Sequence, residues 1–85
     1  MEWIGLTVAQ VLSLCGATYA ELTMIDEPPG KLRALEFDCR EGKVRRVVIE
    51  IEYGPDLFST TRSWPEELVG RQTVTGVHVP AAGGR

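Results

Sequence analysis

Between Lys31 and Tyr53 the chain alternates apolar and polar residues with a period of two, and no other feature restricts its folds as much. Val47, Ile49, Ile51 and Tyr53 fall on one side of an extended segment, and Arg46, Val48, Glu50 and Glu52 on the other. Upstream, Leu35, Phe37 and Cys39 repeat the apolar side against Glu36 and Asp38. Successive side chains of a strand point to opposite faces, so these runs are the arms of a half-buried antiparallel hairpin. A three-residue loop at Arg40-Glu41-Gly42 gives Gly42 the left-handed position that such loops favour. The resulting register sets Phe37 opposite Arg45, Leu35 opposite Val47 and Glu36 opposite Arg46. The last two would form a cross-strand pair worth roughly 0.2–1 kcal/mol. A one-residue slip would bury Glu36, Glu50 and Glu52, so the facing is firmly specified.

A sheet with one apolar face needs a cover, and Leu6–Gly16 supplies it. Thr7 is a good N-cap, and Gln10 three residues on completes a capping box. Leu6 and Val11 are spaced for a hydrophobic staple, and Gly16 provides the left-handed residue that ends many helices. Val8, Val11, Leu12 and Cys15 form one buried stripe.

The remaining segments are less regular. Tyr19–Ile25 alternates as a strand, with a helix over Ala17–Leu22 as the competing reading. Asp26-Glu27-Pro28-Pro29-Gly30 breaks regular structure and makes a rigid acidic loop. Gly54–Arg71 is the longest irregular stretch. Within it Ser63 is placed to cap a short turn at Trp64-Pro65-Glu66-Glu67, while Leu57, Phe58, Trp64 and Leu68 fold back onto the sheet. Gln72–Val79 is a last strand with Gly76 marking a bulge; Pro80 ends it and residues 81–85 are a frayed tail. Residues 1–80 thus read as a single α+β domain, a two-layer sandwich. Its N-terminal helix packs on one face of a mainly antiparallel sheet of about four strands.

Composition excludes several classes of function. A length of 85 residues holds one core, burying roughly 60–65% of the surface of the unfolded chain. With 44% hydrophobic residues the chain is too apolar for disorder. A net charge of −3 without a Lys/Arg stripe argues against nucleic acid, whose phosphates need clustered cations. No apolar run reaches the roughly 18–20 residues of a membrane span. Glu2, with no Lys or Arg before the apolar Trp3–Ala20 stretch, argues against a signal peptide, and Leu14 departs from a lipoprotein box. Cys15 and Cys39 read as small buried hydrophobes, which fits a cytoplasmic protein, and a single bridge between them stays open.

Gly5-Leu6-Thr7-Val8-Ala9-Gln10-Val11-Leu12-Ser13-Leu14-Cys15-Gly16 resembles the Gly-Met-Thr…Val…Leu-Leu-Gly helix that opens small bacterial modules of the SmpA/OmlA and β-lactamase-inhibitor-like kind. The resemblance covers those residues alone. It implies helices on an antiparallel sheet and a role in binding other proteins, although those relatives are exported or lipid-anchored.

Chemistry-bearing residues are sparse. Cys15 and His78 are the one conceivable thiol–imidazole pair, weighed against a core cysteine and a histidine on a strand face. Two cysteines and one histidine lack metal-ligand spacing, and no cofactor motif is present. Glu36, Asp38, Glu50 and Glu52 share a face, readable as a surface for a basic partner, as an acid/base pair, or as a solvated sheet face. Trp64, Phe58, Leu57 and Arg62 form a candidate contact surface, with the alternative that Trp64 plugs the core. Val44 and Val48, with Glu50 and Glu52, complete the candidate surface on the outer face. The expected function is non-enzymatic binding of a protein partner or of a second copy. The alternative is a small-molecule or enzymatic pocket beneath residues 54–71.

Overall fold

The computed structural model describes residues 2–41, 46–61 and 63–79. Helix α1 spans Val8–Cys15 with both ends closed as the sequence requires. The Thr7 amide donates to Gln10 Oε1 at 2.8 Å, and the Gln10 amide donates to Thr7 Oγ1 at 3.2 Å. Gly16 adopts φ 67°, and its N–H donates to the Leu12 and Ser13 carbonyls. Val8, Val11, Leu12 and Cys15 are buried, so one stripe of α1 lies in the core.

Among the described residues there are four strands, β1 (Thr23–Asp26), β2 (Leu32–Asp38), β3 (Arg46–Ile51) and β4 (Val74–His78). They form one antiparallel sheet in chain order. Leu35, Phe37, Val47, Ile49, Ile51 and Val74 meet the α1 stripe in a single core, giving the expected α+β architecture. Helix α1 is tied down at both ends. At its start, Gly5 N–H donates to the Val74 carbonyl at 2.9 Å and Val74 N–H to the Leu6 carbonyl at 2.8 Å. At its end, Cys15 is disulfide-bonded to Cys39, just beyond β2, which decides the question the sequence left open.

That tether corrects the hairpin register. Phe37 lies opposite Val47, Leu35 opposite Ile49, Glu36 opposite Val48 and Asp38 opposite Arg46, two residues from the expected pairing. The face assignment survives because a shift of two preserves it, and the hydrophobic pattern specifies no more than that. Cys39 and Arg40 leave the ladder for the helix end. The Arg40 amide donates to the Cys15 carbonyl at 2.9 Å. Its Nη1 donates to the Gly16 carbonyl at 2.6 Å, and its guanidinium forks onto the Glu21 carboxylate. The expected partner residue Arg45 and the turn residue Gly42 lie outside the described residues. Arg46 still meets Glu36, diagonally at 3.6 Å, and is nearer to Asp38 at 3.2 Å.

Other expectations are revised in detail. Tyr19–Ile25 divides into a single 3-10 turn, Tyr19–Glu21, followed by β1, so each competing reading holds for part of it. In β4 the pairing jumps at Glu50/Ile51, leaving Thr75 as the extra residue beside Gly76, where a bulge was expected. Within residues 54–71 are a 3-10 turn at Pro55–Leu57 and a short helix α2 at Glu66–Gly70. Pro65, and not Ser63, is the N-cap of α2, and no side chain caps it. Leu57 and Trp64 enter the core, and Trp64 Nε1 donates to the Leu57 carbonyl at 2.8 Å. Gly70 packs against Tyr19, where an added Cβ would strike the phenol oxygen. Among the described residues no helix is long and apolar enough to cross a membrane.

Candidate binding surface

The end of the sheet where β1 turns into β2 and where β3 runs out carries an unusual group of exposed side chains. The turn is drawn tight by Glu27 N–H to the Lys31 carbonyl at 3.1 Å and Lys31 N–H to the Pro28 carbonyl at 3.0 Å. Gly30 takes φ 88°, and its absent Cβ would lie 2.8 Å from the Ser59 carbonyl oxygen. That close approach lets Ser59 N–H donate to the Gly30 carbonyl at 2.7 Å, while Lys31 and Phe58 form an isolated antiparallel bridge. Residues 58–59 are thereby stitched alongside the start of β2.

Stitching sets two aromatic rings around one cation. Lys31 Nζ lies 4.0 Å from the Tyr53 ring centroid and 4.8 Å from that of Phe58, inside the range of cation–π attraction. Tyr53 is 46% exposed and Phe58 54%, so neither ring is core. This corrects the placement of Tyr53 on the buried face. β3 ends at Ile51, two residues short of Tyr53, and the Tyr53 hydroxyl donates to the Glu27 carbonyl at 3.4 Å.

Solvent-open hollows lined by described residues lie across this end. One of about 830 Å³ is lined by Pro29, Gly30, Phe58, Ser59 and Thr60. One of about 260 Å³ is lined by Lys31, Tyr53, Gly54, Pro55 and Phe58. The third, about 420 Å³, is lined by Glu27, Pro28, Arg33, Glu50, Ile51, Glu52, Tyr53 and Thr75. Phe58 lines both of the first two and Tyr53 both of the last two, so the hollows adjoin and together form a furrow. Glu50 Oε2 is 2.9 Å from His78 Nε2. Among the described residues, Glu27 and Glu52 form no ion pair.

The residues singled out in the sequence divide accordingly. Phe58, Glu50 and Glu52 come together on the furrow. Val48 lies on the outer sheet face between Glu36 and His78 and is half-buried. Trp64, at 7% exposure, is the core plug and offers no surface. Val44 and Arg62 lie outside the described residues. Tyr53 and Lys31 were missed as surface groups. The available signal was the Gly54-Pro55 pair after Tyr53 and the Pro-Pro-Gly before Lys31, which place both residues at strand ends.

Elsewhere the candidate chemistry is dispersed. Cys15 is bridged inside the core while His78 is exposed on the outer face of β4, so no thiol–imidazole pair exists. Among the described residues no polar or charged side chain is buried, and no three His, Cys, Asp or Glu side chains are grouped to hold a metal. The Arg40 guanidinium, seconded by the Thr18 backbone N–H, lowers the Glu21 carboxyl to about 2, but this pair clamps the end of α1 far from the furrow. No protein-family model matches the chain, and no curated protein or solved structure matches it.

Proposed function

We propose that this domain acts without catalysis, by binding a protein partner through the furrow built on Tyr53, Lys31 and Phe58. The observation that carries the proposal is the pair of half-exposed aromatic rings fixed on an anchored loop. Exposed aromatic groups on positioned loops are enriched at binding surfaces, and rigid rings lose little conformational freedom on contact. Leu57 and Trp64 fill the space beneath residues 54–71, which favours the exposed rings over an enclosed pocket there. Free thiols were the support for a cytoplasmic setting. The buried Cys15–Cys39 bond favours an oxidising compartment instead.

Site-specific photocrosslinking tests the reading. A benzoylphenylalanine in place of Phe58 is expected to form one defined adduct in an extract of the source cells, and the same group at exposed Leu14 is not. An adduct of twice the chain mass would instead support self-association. Equal labelling from both positions would remove the furrow as the binding surface.

A further inference from the structure

Resting on that reading of the furrow, we infer that its occupant is an extended, cationic peptide segment of a partner protein, carrying Lys or Arg beside apolar residues. Three observations point there. The rings of Tyr53 and Phe58 are already arranged about an ammonium group, that of Lys31, so the middle of the furrow presents aromatic π-faces, which attract cations. Its far compartment sets three carboxylates, Glu27, Glu50 and Glu52, against one guanidinium, Arg33. Two of those carboxylates, Glu27 and Glu52, have no ion-pair partner among the described residues. The field of the whole chain, at −3, draws positive segments toward it as well.

Shape selects a peptide over a small cation. The hollows lie side by side and open to solvent, sharing Tyr53 and Phe58 as walls, so none encloses a compact ligand. An extended chain can place an apolar side chain against Phe58 and Pro55 and a basic one against Glu52 and Glu27. Alternate side chains of a strand point apart, so residues two positions apart would share the furrow. Lys31 can swing aside, because among the described residues its ammonium is held by ring faces alone.

Selection from a displayed library of random peptides tests the inference on the intact, disulfide-bonded chain. Peptides rich in Lys or Arg next to apolar residues are expected to be enriched, with capture lost in the Tyr53→Ala/Phe58→Ala variant. Glu27→Gln/Glu52→Gln should weaken the best of them by about fivefold at low salt, and raised salt should shrink the difference. Enrichment of neutral or acidic peptides that still depends on Tyr53 and Phe58 would overturn the charge assignment and leave the furrow as the binding surface. If no enriched peptide depends on the two rings, both the occupant and the surface fall. Retained near-ultraviolet circular dichroism of each variant separates lost binding from lost folding.

Discussion

Trp64 and Tyr53 show how two aromatic residues in loops acquire opposite roles. Trp64 buries its ring and passes its one donor to the Leu57 carbonyl, the condition under which a tryptophan is tolerated inside. Trp64→Ala is expected to cost about 3–5 kcal/mol, from the cavity and the orphaned carbonyl together. Tyr53→Ala removes a half-exposed ring and one cation–π contact, and should cost no more than about 1 kcal/mol. Urea unfolding of the two variants checks the contrast; comparable losses would mean that the furrow is structural. Either residue could be named from the sequence as a large aromatic group near a proline. The neighbours that bury one and expose the other come from distant positions, and no local pattern encodes them.

The end of α1 concentrates what the elements contribute. The Cys15–Cys39 bond closes a loop with a sequence separation of 24. On a chain-entropy basis that constraint is worth about 3.5 kcal/mol. Replacing both cysteines by alanine, or adding reductant, should lower the urea midpoint accordingly, and an unchanged midpoint would argue that the bridge does not form in solution. Beside it Arg40 joins the Gly16 carbonyl to Glu21. Because the Glu21 carboxyl is lowered to about 2 from its ordinary 4.5, its contribution is fully present above 4.5 and is lost as pH falls through about 2. Both groups are exposed, so added salt should weaken the effect. In Arg40→Gln, Glu21 should titrate most of the way back toward 4.5, with the Thr18 N–H holding the remainder. Carboxyl NMR titration measures this directly; an unmoved Glu21 would discard the clamp.

At the scale of the whole molecule, α1 with Leu57, Trp64 and Val69 covers one face of the sheet, and on the other the described side chains of Asp38, Arg46 and His78 are exposed. That outer face carries Glu36, Asp38, Arg46, Val48, Glu50 and His78, with the small apolar group Ile25 and Ala34. Four strands and about five residues of length make it roughly 19 by 17 Å. Its plan area is roughly 300 Å², and Glu36, Asp38, Arg46, Glu50 and His78 occupy most of it, unlike the apolar centre of a stable homodimer interface. The chain is therefore expected to be monomeric by light scattering at micromolar concentration. A stable dimer there would move attention from the furrow to this face or to a sheet edge.

The sequence by itself determined α1, its caps and its buried stripe, because helical period and capping act over four residues or fewer. It also determined that Leu35, Phe37, Val47, Ile49 and Ile51 face the core, since alternation is a property of each strand alone, whereas Leu32 is buried beyond the pairing shift at Ile25/Asp26 and breaks that alternation. Only the tertiary structure decided the register, which depends on Cys39 and Arg40 being drawn to the far end of α1. The furrow likewise required assembly: Glu27 and Lys31 come from one turn, Glu52 and Tyr53 from the end of β3, and Phe58 from the loop beyond. What brings them within a few ångströms is the Lys31–Phe58 bridge and the bare backbone of Gly30, contacts between residues 27 and 29 positions apart. A pattern read along the chain carries no information about such a meeting. The fold's closure creates it.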